Sequence, residues 1–277
     1  MQKTLLLIAT LLLVSCAKLR RVPNEQYYAF RYSFKQDFAR DTLSFSLKNP
    51  LRCPVNIQLT ENPDTPGLKA LFGIKTLREL QDTVIKIPYP ELDLTKNPKI
   101  SYIVRYGDLN RQIEKNKLAL PFPKGREYKV IQGYNGKLTH NTIYSRFALD
   151  FKLSIGDTIT SADDGYVVGI IEDYKEYGTG KKWLESDKSN YITLYHPQSG
   201  LFTQYVHLTY KGALVKMGDF VEKGQPVGIS GMTGYTTTPH LHFNAKVPTH
   251  EHGLASTEIE FENGIRGKDL KKGDRVK

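Results

Sequence analysis

Period-two alternation of apolar and polar residues is the feature that most constrains how this chain folds. Tyr28-Ala29-Phe30-Arg31-Tyr32, Leu43-Ser44-Phe45-Ser46-Leu47, Val55-Asn56-Ile57-Gln58-Leu59 and Ile100-Ser101-Tyr102-Ile103-Val104 all show it. Successive side chains of a strand point to opposite faces, so each run reads as a half-buried strand. Asn49-Pro50, Asn62-Pro63-Asp64 and Lys96-Asn97-Pro98 punctuate these runs as turns. Residues 26–120 are therefore expected to form a small antiparallel, Ig-like β-sandwich with an accessory or positioning role. A helix is expected within residues 68–80, although Gly73 sits inside it. Further strands are expected at 147–153, 165–171, 191–195, 201–208, 226–229 and 240–247, with Gly and Asp clustered between them. No ten-residue amphipathic run separates these strands, which excludes a βαβ arrangement and makes the chain all-β. The polar, strand-poor residues 172–190 read as a long loop. A length of 277 residues is about two domains' worth. Pro121-Phe122-Pro123 marks the expected junction between residues 26–120 and 121–277.

The N-terminus speaks to destination. Lys3 supplies a positive charge, and residues 4–14 (TLLLIATLLLV) carry none before Ser15-Cys16. A spanning helix needs ~20 apolar residues, so this shorter stretch reads as the core of an export signal over residues 1–15. Leu13-Val14-Ser15-Cys16 resembles the bacterial lipobox, which implies lipidation of Cys16 and a cell-envelope location outside the cytoplasm. Residues 16–25, with Lys18, Arg20 and Arg21, would then lie next to the membrane. Cys53, the second of two cysteines, is expected to be a small buried hydrophobe. Composition agrees with a folded chain: 39 % of residues are hydrophobic and 25 % charged, which is globular. The net charge of +10 favours anionic surfaces such as phospholipid or cell-wall polymers. No arginine-rich block interleaved with aromatics occurs, so nucleic acid is not an expected partner.

Chemistry concentrates in the second half. All seven histidines fall between His140 and His252. His240-Leu241-His242 on a strand would put both imidazoles on one face about 6–7 Å apart, with Leu241 and Phe243 towards the core. Asp150 interrupts the apolar run Phe147-Ala148-Leu149-Asp150-Phe151. A buried carboxylate without a partner is costly, so it must be paired, protonated or ligating a cation, and Arg146 is the nearby candidate for an ion pair. His140 precedes that strand. His207, in Tyr205-Val206-His207-Leu208, is expected on the same strand face as Tyr205. His196 reads as structural, His250 and His252 as solvent-exposed, and Tyr235-Thr236-Thr237-Thr238 as a candidate groove lining.

His140 with Asp150, Gln204-Tyr205-Val206-His207-Leu208, and Gly231-Met232-Thr233-Gly234 leading to Pro239-His240-Leu241-His242-Phe243 together resemble the LytM/lysostaphin-type zinc metallopeptidases, which cleave peptidoglycan cross-links. The resemblance covers residues 131–262. It implies a LytM-type β-sandwich, or barrel-sandwich hybrid with a duplicated hybrid motif, for residues 121–277. It further implies that His140, Asp150 and His242 bind Zn²⁺ while His207 and His240 are the catalytic histidines, acting on peptidoglycan peptide. Here the first histidine and the aspartate stand ten positions apart, where compact members of the family have four. The chemistry fits this division of labour, since three protein ligands leave a fourth zinc position for water. No HExxH glutamate is present, so another group must take the water's proton. The competing expectation is a catalytically inactive relative that binds peptidoglycan or activates a hydrolase. A non-haem iron oxygenase is disfavoured, because two histidines would then have no role.

Overall fold

The structure is a computed structural model that describes residues 13–14, 33–96, 98–114, 117–186 and 188–277. The expectations placed on Cys16, on the run from Tyr28 to Tyr32 and on most of the export signal lie outside the described residues. Among the described residues the chain is mostly β-strand, as the alternation requires.

Residues 33–106 build two antiparallel sheets. Ser33–Ala39, Thr42–Lys48 and Asp82–Pro88 lie in that order, with Leu13–Val14 paired on the outer side of the first. Ile74–Leu77, Val55–Leu59 and Tyr102–Tyr106 form the second sheet, with Val55–Leu59 in the middle. The hairpin joining Ser33–Ala39 to Thr42–Lys48 turns on Arg40 and Asp41 alone, both with positive φ (49° and 58°). Two consecutive left-handed residues give the turn whose twist matches the flanking strands. Phe45, Leu47, Ile57 and Leu59 from the two sheets share one core, with Phe72 edge-on to Phe45 at 5.2 Å. The helix expected over residues 68–80 is shorter. It spans Leu68–Phe72 and stops at Gly73, whose φ of 65° breaks it, and Ile74–Leu77 is a strand instead. Cys53 is fully buried, and burial pushes its thiol pKa up.

The rest of the chain forms a nine-stranded and a three-stranded sheet. The order in the larger sheet is Phe220–Val221, Gly165–Ile171, Tyr191–Tyr195, Phe202–Val206, Leu241–Thr249, Leu149–Lys152, Tyr128–Gln132 and Arg275–Val276, with Gly253–Ser256 paired to Leu241–Thr249. Thr158–Thr160, Pro226–Ser230 and Leu208–Ala213 make the smaller one. Apolar side chains from both, including Phe151, Ile159, Val227, Leu241 and Phe243, fill the core. Alternation along Leu241–Thr249 sends Leu241, Phe243 and Ala245 into that core and leaves His242, Asn244 and Lys246 on the opposite face.

That opposite face is shared between two tasks. Register sets Val206 beside His242 and Phe202 beside Lys246, so His242 and Phe202 occupy the same face. At its far end Phe202, Tyr195, Val168 and Leu254 join the core of the residue 33–106 sheets. The Tyr106 hydroxyl donates to the Val168 carbonyl at 2.6 Å. Arg111 donates to the Tyr195 hydroxyl at 2.9 Å, to the Gln198 carbonyl at 2.7 Å and to the Pro197 carbonyl. Gly107, at φ 99°, passes so close to Pro248 that a Cβ there would lie 2.5 Å from the proline side chain.

Residues 172–190 are not a plain loop. They contain a two-residue strand, Tyr177–Gly178, paired parallel to Gly234–Tyr235, and a six-residue helix, Lys181–Ser186.

Candidate metal centre

Sheet register assembles the first two members of the centre. His242 in Leu241–Thr249 is the direct cross-strand partner of Asp150 in Leu149–Lys152. Side chains so paired stand within reach of each other. The third member, His140, arrives from the turns that connect Tyr128–Gln132 to Leu149–Lys152 and is fully buried. Asp150 Oδ1 lies 3.1 Å from His140 Nε2 and 2.9 Å from His242 Nδ1, and the two imidazole nitrogens are 3.3 Å apart. One donor atom from each of the three residues falls within 4.8 Å of the others. Gln132 donates to Asp150 Oδ2 at 3.0 Å and to Thr139 Oγ1 at 2.7 Å, which fixes the carboxylate plane.

Proton placement decides what this trio accommodates. His140 Nδ1 lies 2.9 Å from the Gly133 carbonyl, which only accepts, so Nδ1 carries the proton. In the neutral ring Nε2 then aims a lone pair at the Asp150 carboxylate and at His242 Nδ1. Such a meeting of acceptors is stable only around a cation or shared protons. Two donors each about 2.1 Å from a zinc ion at tetrahedral angles stand about 3.4 Å apart, close to the spacing of these atoms. The donor set, two nitrogens and one oxygen, therefore fits a divalent ion of zinc's size. Burial opposes ionisation of Asp150, but where the trio shares protons in place of a cation, the imidazoles of His140 and His240 and hydrogen bonds from His140 and His242 outweigh it. They hold the carboxyl well below the usual carboxylate range. Arg146 takes no part, since its guanidinium lies 4.8 Å over the Phe147 ring.

Two further imidazoles border the trio. Alternation predicts His207 beside Tyr205 on a continuous strand, and the structure corrects this. Phe202–Val206 ends before it, His207 adopts φ 70°, and the chain leaves the larger sheet for Leu208–Ala213 in the smaller one. Tyr205 stays in the core, its hydroxyl accepting from the Ala162 amide at 2.8 Å, while the left-handed corner turns His207 towards the metal trio. Left-handed backbone at a residue other than glycine costs energy and is held by its surroundings. His207 Nδ1 donates to the Thr233 carbonyl at 2.7 Å, and His240 Nδ1 to the Thr238 carbonyl at 2.9 Å. In both rings Nε2 is the nitrogen left for chemistry. The ring centroids are 4.5 Å apart, and His240 Nε2 lies 3.9 Å from Asp150 Oδ1. Burial lowers the pKa of both below the usual histidine value, and for His207 the neighbouring His240 and His242 push the same way. Both rings are therefore neutral at pH 7, with a lone pair able to accept a proton.

Asp150, His207, His240 and His242 line a cleft of about 300 Å³, with His140 buried behind them. Tyr235, Thr236, Thr237 and Thr238 line it too. His196 lies elsewhere, buried between the Asp164 carbonyl at 2.9 Å and Thr203 Oγ1 at 2.8 Å. His250 is exposed and His252 partly so, and neither lines the cleft. Sequence reasoning does not single out Gln132, Leu138 or Trp183. Gln132 ends a strand with no alternation signal, and Trp183 sits in a polar run.

Residues 145–253 match the family model of Peptidase family M23. The likeness to that family covers 109 of the chain's 277 residues. Asp150, His207, His240 and His242 fall inside the matched span, and His140 lies just before it. The chain is 34 % identical over 128 residues to an uncharacterized metalloprotease of Buchnera aphidicola. It is 34 % identical over 118 residues to lysostaphin of Staphylococcus simulans, and 32 % over 130 residues to the peptidoglycan DD-endopeptidase ShyB of Vibrio cholerae. These alignments cover 45, 42 and 46 % of this chain but 30, 21 and 27 % of the respective relatives. The M23 likeness thus spans less than a third of each relative's length. Among solved structures, that of the antimicrobial peptidase lysostaphin from Staphylococcus simulans aligns at 30 % identity, covering 47 % of each chain with a TM-score of 0.35.

Proposed function

We propose that this chain is a zinc-dependent endopeptidase that hydrolyses peptide cross-links of bacterial peptidoglycan. The observation that carries the reading is the convergence of His140, Asp150 and His242 beside two neutral imidazoles at the floor of one cleft. The named relatives support the substrate class, since one is lysostaphin and another a peptidoglycan DD-endopeptidase. His140 Nε2, Asp150 and His242 Nδ1 are assigned as the metal ligands. A zinc ion bound there would lower the pKa of its water to about 7 and polarise the scissile carbonyl. His207 and His240 do the proton work. The Nε2 lone pair of one accepts the proton of the attacking water. The other can stabilise negative charge developing on the carbonyl oxygen once its own Nε2 carries a proton, because its Nδ1 hydrogen is already committed to a backbone carbonyl. Backbone carbonyls hold both Nδ1 protons, so the ring that accepts the water's proton needs no change of tautomer before reacting.

The same proposal assigns residues 121–277 to the peptidase unit and residues 26–120 to an accessory sandwich. It tethers the chain in the cell envelope through lipid on Cys16, supported by the uncharged residues 4–14 and the Leu13-Val14-Ser15-Cys16 motif.

His242→Ala is expected to abolish both stoichiometric zinc and the release of soluble muropeptides from intact sacculi. His207→Ala should keep zinc while lowering turnover about 10²–10⁴-fold, the usual worth of a positioned base. Metal analysis and chromatography of the digest measure the two. A wild-type chain with one bound zinc and no muropeptide release would favour the inactive, peptidoglycan-binding alternative.

A further inference from the structure

The proton chemistry accounts for the floor of the cleft and leaves its side walls unexplained. One wall residue is Leu138, an aliphatic side chain 83 % exposed at the rim. Another is Trp183, carried by the short helix Lys181–Ser186. The segment around that helix is hooked onto the strand leading to His240. The Gly234 amide donates to the Glu176 carbonyl at 3.0 Å, and the Thr236 amide to the Gly178 carbonyl at 3.1 Å. The indole packs directly on Gly178, where a Cβ would collide with Nε1 of Trp183. Glycine at 178 thus seats the ring against backbone, with the ring also lining the cleft. Each wall residue has an exposed lysine beside it in the chain: Lys137 adjoins Leu138 and Lys182 adjoins Trp183.

A substrate made only of glycine would satisfy the polar floor and leave the apolar wall uncovered. A hydrocarbon chain beside the scissile amide would cover it, and each buried methylene is worth a factor of about four in binding. Free carboxylates on the same substrate would suit the adjoining lysines. We propose that Trp183, together with Leu138, is a specificity-determining subsite for the aliphatic side chain of a diamino acid whose side-chain amide is cleaved, in preference to an oligoglycine link. This rests on the peptidase reading above.

The test compares two soluble substrates on the zinc-loaded full chain: a stem-peptide dimer joined through the side-chain amine of a diamino acid, and the same stems joined by oligoglycine. Trp183→Ala is expected to lower kcat/KM about tenfold on the first, mainly through KM, with little change on the second. Trp183→Phe should retain most of the activity, which separates loss of an apolar face from loss of folding. Trp183 is also the chain's only tryptophan, so its emission reports on the cleft directly. In the zinc-loaded His207→Ala chain, titration with the diamino-acid dimer should shift that emission, and oligoglycine should not. Equal losses on both substrates, or an emission unmoved by the diamino-acid dimer, would overturn the subsite. Hydrolysis of neither substrate would count against the peptidase reading alone, because the emission titration still decides the subsite.

Discussion

His207 shows how one residue's backbone and its protonation are set together. Its left-handed corner turns the ring into the cleft, the Thr233 carbonyl fixes which nitrogen carries hydrogen, and burial lowers its pKa. A base must be neutral to act, so activity falls as pH drops through the folded-state value, which lies below the ordinary 6.5 or so. The acid limb of kcat/KM against pH is accordingly expected with its midpoint below about 6.5. A midpoint at or above that value would assign the limb to a group other than His207, such as the metal-bound water. At this scale the sequence reveals identity better than geometry. Asp150 stands out as a charge in an apolar run, and His240 and His242 as a pair. The corner at His207 is not legible, because nothing between Leu201 and Leu208 marks a turn and the run reads as one uninterrupted strand. Gln132 is invisible, since it meets Asp150 only through the irregular pairing of Tyr128–Gln132 with Leu149–Lys152.

Elements are legible where they are long. Gly165–Ile171, Tyr191–Tyr195 and Val55–Leu59 fall where alternation or apolar runs place strands. The six residues of Lys181–Ser186 are too few to establish a helical period, and the helix takes its place from packing on Gly178 and the Gly234–Tyr235 strand. Arg40-Asp41 likewise lacks the Asn-Gly signature that announces such a turn. The crossing from one sheet to the other depends on Gly231, whose amide donates to the His207 carbonyl at 3.0 Å. A Cβ at 231 would run into the backbone of Leu208 and Thr209, which cannot swing aside as a side chain can. Gly231→Ala is therefore expected to cost about 1–3 kcal/mol. Thermal unfolding should register it as a drop of about 2–4 °C per kcal/mol. Because the displaced backbone adjoins His207, hydrolysis should fall more than zinc content does. An unchanged Tm would show that the sheets part there more easily than the packing implies.

Across the whole molecule, the residue 33–106 sheets and the nine-stranded sheet share buried surface rather than merely touching. Phe202, Tyr195 and Val168 belong to the same apolar core as Phe45 and Ile57. Pattern reading finds both β-rich halves but not which faces they present to each other, because every residue of Phe202–Val206 is buried on one side or the other. Shared burial predicts a single cooperative transition in calorimetry. Tyr106→Phe, which removes the hydrogen bond to the buried Val168 carbonyl, should shift that transition as a whole by about 1–3 kcal/mol. Two separable transitions, only one of them moved, would mean that the halves fold independently. The pairing of Arg275–Val276 with Tyr128–Gln132 has a different reach. It brings the opening and closing strands of the nine-stranded sheet together at a common seam. Arg275–Val276 thereby covers part of the outer edge of Tyr128–Gln132, where bare backbone would offer another chain a place to pair.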